Sequence, residues 1–302
     1  MFKKDRKILN KRSKSEKILF GVVFTCFILY ACSLILPFFF LITNSLKDGW
    51  EYFYDTLDRQ AFKMPDKLIF ENYISALLEM KTTNSLGESI FLLEMLFNSL
   101  WFSACLVLSG VVASSITAYI VAKYRFAGRR IIDGIAIFSM TIPVIGTTAA
   151  MLKLQNALQI YNSPLLPIFL GFGGFGFNFL VLRGFFANLP WSYAESVFID
   201  GGGHVTAFLK IMLPQAFPCI LTLSLMAFIG TWNDYQTMLL YMPDYPTLAS
   251  GLYKIELSVL RETEKYPIYY AGLMLSMVPV IILFAVFSDT IMTNFTVGGL
   301  KG

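Results

Sequence analysis

The chain has 302 residues; 56% are hydrophobic, 16% aromatic and only 15% charged, and the net charge is +4. A soluble domain is about 25% charged, and 29 Phe against 20 Asp plus Glu leaves too little polar surface to keep this chain in water. The composition excludes a disordered protein, a collagen-like chain and a conventional cytosolic enzyme.

A helix needs about 20 apolar residues to cross a bilayer core of about 30 Å. Six stretches qualify, and the sequence predicts six spans. The first, 18–42, follows a basic tail (1–17). Its apolar run is too long for a signal peptide and no cleavage motif follows before Lys47, so it reads as an anchor. A long segment, 43–91, follows and carries Trp50-Glu51-Tyr52-Phe53-Tyr54-Asp55. The second span is 92–122 and the third 131–152. The fourth, 165–186, contains Gly171-Phe172-Gly173-Gly174-Phe175-Gly176. With no Lys-Ser or Lys-Thr after it, this run fits close helix packing better than a phosphate loop. The fifth, 216–241, is interrupted by Trp232-Asn233-Asp234, and a segment with Pro243, Pro246 and Pro267 separates it from the sixth, 268–287. Pro143, Pro218 and Pro279 are expected to kink their spans. The four cysteines, Cys26, Cys32, Cys105 and Cys219, read as small buried hydrophobes.

Orientation follows from Lys and Arg. With the N-terminus inside, fifteen of the twenty-four basic residues face the cytoplasm, and six spans return the C-terminus to the same side.

The most informative segment is the loop between the fourth and fifth spans, 188–214. Pro190 suits a first helical turn. Ala194, Val197 and Phe198 then share one face, with Glu195 beside it. Asp200-Gly201 ends the helix, because Gly accepts positive φ and Asp can bond nearby backbone. A second amphipathic stretch, Val205 to Leu213, is expected to stop at Pro214. The loop therefore reads as a helix, a sharp turn and a second helix at the membrane surface.

Glu195-x-x-x-x-Asp200-Gly201, followed by Phe208, Ile211 and Leu213-Pro214, resembles the EAA signature of ABC-importer permeases. Other pieces resemble their carbohydrate branch, the MalG-type permeases: Asn98-Ser99-Leu100, Ala118-Tyr119, Tyr124-Arg125-Phe126-Ala127-Gly128-Arg129, Leu182-Arg183-Gly184-Phe185-Phe186, Trp232-Asn233-Asp234 and Gly298-Gly299-Leu300-Lys301-Gly302. Asn44-Ser45-Leu46-Lys47 gives weaker support. Ser196 and Val197 stand where the family has alanines.

The resemblance implies a type I ABC-importer permease: an all-α membrane protein of six transmembrane helices with a cytoplasmic coupling-helix loop. It implies a permease core at 92–290 and a cytoplasmic tail at 291–302. Ala194, Glu195, Val197, Phe198, Asp200 and Gly201 would couple to an ATPase: the apolar three filling its cleft, Glu195 and Asp200 fixing helix and turn, Gly201 making the bend. Gly299, Leu300 and Lys301 would reach between the ATPase subunits. Trp232, Asn233, Asp234 and Tyr235 suit the apolar face and hydroxyls of a sugar; alternatively Asn233 and Asp234 hydrogen-bond adjacent helices. The implied partners are a second, homologous permease in a heterodimer, two cytoplasmic ATPase domains, an extracellular solute-binding protein, the sugar and membrane lipid, with no nucleic acid. No Walker motif, catalytic constellation or metal cluster is seen, so no cofactor is expected here and ATP-Mg would be bound by the partner ATPase. The alternative is an ion-coupled secondary transporter, for which an internal repeat and several intramembrane ionisable residues are expected.

Overall fold

A computed structural model describes residues 14–142, 146–173 and 176–299, with side chains from 15 to 288. The first apolar run forms α1 (Lys14–Ser45). The segment after it folds into α2 (Gly49–Leu57), α3 (Glu71–Leu78) and a hairpin of β1 (Lys81–Thr83) and β2 (Ser89–Phe91). The strands are antiparallel, with Thr82 opposite Ile90. This hairpin is the one departure from an all-helical chain among the described residues. Next come α4 (Leu92–Lys123), α5 (Arg129–Thr141), α6 (Thr147–Ala157), α7 (Leu166–Phe172), α8 (Phe177–Asn188) and α9 (Ser192–Ile199). The chain continues through α10 (His204–Ala207), a π-helical turn at Phe208–Met212, α11 (Leu213–Trp232), α12 (Tyr235–Tyr241), α13 (Leu248–Val259), a 3₁₀ turn at Thr263–Lys265 and α14 (Tyr266–Gly299).

Among the described residues, four helical stretches are long and apolar enough to span a membrane: Ser15–Ser45, Leu92–Lys123, His204–Trp232 and Thr263–Ser288. Taken together, α7 and α8, bent by 53° relative to each other within the predicted fourth span, are also long and apolar enough. The predicted third span is instead two shorter helices, α5 and α6, on either side of residues 143–145, which fall outside the described residues, as does Pro143. Pro218 and Pro279 lie inside α11 and α14, which continue through them. The last helix also runs to Gly299, beyond the span end read from hydropathy, while Leu300 and Lys301 lie outside the described residues.

Helix α4 is the spine, in contact with α7, α8, α11 and α13. It crosses α7 closely at Gly171. A Cβ there would stand 1.9 Å from Ser109 Oγ and 2.4 Å from the Leu106 carbonyl oxygen. Close packing is thus the role of this one glycine of the 171–176 run; Gly174 and Phe175 lie outside the described residues.

Each end of α4 sits in its own apolar core. One, the cap end, joins Ala76, Met80, Ile90, Met95, Trp232 and Leu252. The other, the loop end, joins Ala118, Tyr119, Phe179, Phe186, Ala194 and Met212. Helix α1 lies along α14 with most of its surface exposed. Cys26 and Cys32 are therefore exposed on α1 rather than buried; all four cysteines are free.

Candidate functional site: a coupling loop and a cleft at the cap end

The loop between α8 and α11 starts as the sequence suggests, two residues later. Helix α9 opens at Ser192, leaving Pro190 outside it. It ends in a complete Schellman turn: Gly201 N–H donates to the Phe198 carbonyl at 3.1 Å, and Gly202 N–H to the Val197 carbonyl at 2.8 Å. Gly201 has φ +79°, a conformation that costs other L-residues roughly 1–2 kcal/mol. Gly202 is confined for another reason, since a Cβ would stand 2.5 Å from Val197 Cγ1.

The faces of α9 differ from the expectation in one respect. Ala194 is fully buried, and Val197 and Phe198 are partly buried, all against this chain's own loop-end core. They seat the loop. The outward face carries Tyr193, Glu195, Ser196, Ile199 and Asp200, with Ile199 85% exposed. The carboxylates of Glu195 and Asp200 have no hydrogen-bond or ion-pair partner among the described residues, so the turn is fixed by backbone bonds and glycines and not by Asp200's side chain.

Pro214 does not stop the second stretch. Helices α10 and α11 form one continuous helix, His204–Trp232, because the chain enters Pro214 through the π turn. There the Leu213 N–H reaches back five residues to the Phe208 carbonyl, and the wider turn eases proline's clash with the preceding turn. A surface helix read from the pattern is therefore the first part of a span.

The loop is clasped to the end of α4. Tyr124 Oη lies 2.9 Å from His204 Nδ1, and its ring meets Trp191 edge-on at 5.8 Å. The His204 ring lies 4.8 Å from Phe198, and Tyr119 lies 4.7 Å from Phe208. The Lys123 ammonium donates to the Leu189 carbonyl. One step further in, Arg183 on α8 pairs with Asp133 on α5 at 2.6 Å. Tyr124 and Arg183 are legible as parts of sequence motifs, but their partners His204 and Asp133 carry no local signal.

At the cap end, a cleft of about 420 Å³ lies among α1, α11, α13 and α14. Trp232, Asn233, Tyr253, Glu256, Tyr269 and Ser276 are among its walls. Trp232 is buried, stacks on Phe228 at 5.3 Å and donates from Nε1 to the Ser276 carbonyl at 3.2 Å. Asn233 is exposed and bonds the Ile229 carbonyl of its own helix. Asp234 is not a carboxylate stranded within a span. The helix breaks there, and Asp234 caps α12, accepting from the Thr237 N–H at 3.0 Å. Tyr235 stacks on Tyr253 at 4.8 Å. Of the four residues singled out, Trp232 and Asn233 line the cleft, Tyr235 braces its wall, and Asp234 shapes the backbone. Tyr253, Glu256 and Tyr269 were not singled out; α13, held by a capping box of Thr247 and Ser250, brings the first two in at i and i+3.

The Asn-Ser-Leu motifs bind the spans to the cap. Asn98 donates to the Pro246 carbonyl at 3.0 Å, and Ser99 Oγ accepts from the Leu248 N–H at 2.8 Å. Ser45 Oγ lies 2.8 Å from Tyr73 Oη, and the fully buried Lys47 pairs with Asp55 at 2.8 Å.

Comparison with known proteins agrees with this architecture. The model for the binding-protein-dependent transport system inner membrane component family matches residues 110–296. The diacetylchitobiose uptake system permease protein NgcG of Streptomyces coelicolor is 25% identical over 299 residues, covering 98% of this chain and 93% of the relative. The maltodextrin transport system permease protein MdxG of Bacillus subtilis is 28% identical over 250 residues, 80% of this chain and 87% of the relative. Among solved structures, a bacterial ABC transporter involved in import of the acidic polysaccharide alginate has a chain that superposes with a TM-score of 0.73 at 20% identity, covering 92% of this chain and 98% of that one. The chain is a multi-pass membrane protein that belongs to the family of inner membrane components of binding-protein-dependent transport systems.

Proposed function

We propose that this chain is a permease subunit of a bacterial ABC importer for mono- or oligosaccharides, with both termini and the 188–214 loop on the cytoplasmic side. It pairs with a second, homologous permease. Two ATPase domains bind ATP-Mg and supply the energy, an extracellular solute-binding protein delivers the sugar at the cap end, and this chain hydrolyses nothing and carries no cofactor of its own. Supporting this are the sugar systems named for its relatives and a loop with an exposed crest that is tied to α4 and α8.

The loop is the observation that carries the proposal. Helix α9 is too short to stand alone, yet backbone bonds, rings and the Lys123 tie fix it to α4 and α8. A push on its exposed crest, Tyr193, Glu195 and Ile199, would move these helices as a body, with the π turn as the compliant joint to α11. In this reading Ala194, Val197, Phe198 and Gly201 hold the crest in place, while Glu195 and Asp200 face the ATPase. A contact of Gly299, Leu300 and Lys301 with the ATPase subunits belongs to the same proposal. In the cleft, Trp232, Tyr253 and Tyr269 supply aromatic walls, and Asn233 and Glu256 supply polar groups, a set suited to a sugar.

The test is a cross-link. Ile199→Cys, in a chain whose four native cysteines are replaced by Ser or Ala, is expected to cross-link to a co-purified ATPase subunit, whereas Trp50→Cys at the cap end is not. An actively transporting complex with no cross-link from Ile199 or Glu195 positions contradicts the assignment.

A further inference from the structure

At the loop end, the turn from α4 to α5 presents a feature that the transport reading does not use. Arg125, Arg129 and Arg130 line a single hollow of about 270 Å³ with Phe126, Gly128 and Ile131. None of the three guanidinium groups has a hydrogen-bond or ion-pair partner among the described residues. Three cations with no counter-charge in one hollow repel one another, and an anion would relieve that. Exposed Phe126 and Ile131, 40% and 67% accessible, give the same hollow an apolar rim.

A second observation adjoins it. Tyr124, next to Arg125 in the chain, is one wall of a groove of about 490 Å³ between α4 and α10. Its other walls include Ile116, Ile120, Val205, Phe208 and Leu209. Tyr119 adds its ring beside Phe208, and Tyr124 and His204 engage each other; the remaining walls are apolar. A cationic hollow that begins at Arg125 and an apolar groove that ends at Tyr124, the residue before it, match the two halves of one kind of molecule.

We infer that the α4–α5 turn and the α4–α10 groove together bind an anionic phospholipid, its phosphate among Arg125, Arg129 and Arg130 and an acyl chain in the groove. Charge complementarity selects the anionic headgroup, and Arg suits phosphate because its planar fork donates two hydrogen bonds at once. A soluble phosphate compound would use the hollow but leave the groove empty. Because Tyr124 and His204 are both groove wall and loop clasp, the lipid would sit against the loop that the proposed ATPase engages. The inference needs only membrane residence and so stands apart from the sugar and ATPase assignments.

The test uses the full chain, purified with whatever subunits accompany it, in nanodiscs of phosphatidylcholine containing a minority of phosphatidylglycerol. Retained lipid is counted by native mass spectrometry. Each arginine near a membrane surface is worth about fivefold in anionic lipid affinity, so Arg125→Gln, Arg129→Gln and Arg130→Gln together are expected to weaken phosphatidylglycerol retention on the order of 100-fold. Arg59→Gln, Lys67→Gln and Arg261→Gln, which remove the same charge at the cap end, are expected to leave it unchanged. Val205→Trp, which fills the groove and keeps every arginine, is expected to reduce it several-fold, and Arg130→Gln alone about fivefold. Inorganic phosphate is expected to compete poorly.

Equal losses in the loop-end and cap-end triple variants would overturn the inference in favour of unspecific charge attraction. Unchanged retention in Val205→Trp, or full displacement by inorganic phosphate, would also overturn it, as would a groove cross-linked at Val205→Cys to another permease chain.

Discussion

At the cap end, α4 is held by directional polar bonds: Asn98 to the Pro246 carbonyl, Ser99 to the Leu248 N–H, and nearby the Lys47–Asp55 pair that closes the turn after α1. At the loop end the same helix is held mostly by rings, with Tyr119 and Tyr124 against Phe186, Phe208, Trp191 and His204. Polar bonds of this kind have one good geometry and are lost when a partner moves. Ring contacts hold over centroid distances of about 4.5–7 Å in offset or edge-on arrangements. The cap is thus suited to serve as a fixed platform, while the loop end keeps its contacts as the loop, α4 and α8 move together.

The strongest way to break the comparison is at Gly201. Gly201→Asp puts a β-carbon on a residue with φ +79° and adds charge to the turn. Insertion into the membrane, followed by protease accessibility, is expected to remain intact while uptake is abolished. Next is Lys47→Met. Removing one partner of a buried pair costs about 3–5 kcal/mol, and here the lower end applies because Lys63 still reaches Asp55 at 3.3 Å; thermal unfolding should register the loss. Gly171→Ala comes third, at about 1–3 kcal/mol for overpacking, since the new methyl meets the backbone of α4 and cannot simply rotate away.

Tyr124→Phe is expected to cost only about 0.5–1.5 kcal/mol in the same measurement and to keep the ring contacts. A larger loss there would mean that the loop end, too, depends on polar bonds. The smallest effect is pH. Burial pushes the Asp55 carboxyl up, but the hydrogen bonds and charges of Lys47 and Lys63 outweigh this and hold it below its usual value. Hydrogen bonds from Ser85, opposed by burial and aided by Asn162, hold Asp244 low as well. A lowered folded-state value gives stability that is complete above the ordinary carboxylate value of about 3.9 and is lost as pH falls through the lower one. Cap stability, followed by hydrogen exchange in β1 and β2, should stay flat from neutral pH down to about 4 and decline only below it.

How much was legible follows the same division. Long apolar runs announced α1, α4, α11 and α14, and Asp200-Gly201 announced the turn, because both signals are local. Hydropathy could not show that residues 131–152 break into two helices, since a break without polar residues leaves the average unchanged. Nor could it say what covers an apolar face: Ala194, Val197 and Phe198 were rightly grouped, but their own core covers them. Pro214 read as a stop because the π turn that accommodates it depends on tertiary packing. The pairs Lys47–Asp55 and Arg183–Asp133 depend on chain paths that no single-sequence pattern encodes.

The central claim, that this chain is the passage and an ATPase is the motor, is tested most directly by uptake into proteoliposomes. The assembled complex, given its solute-binding protein and a labelled maltodextrin or chitobiose-type sugar, should accumulate sugar only with ATP-Mg on the loop side. Accumulation should stop with vanadate and be absent in Gly201→Asp. Accumulation driven by a proton or sodium gradient without ATP would contradict the account.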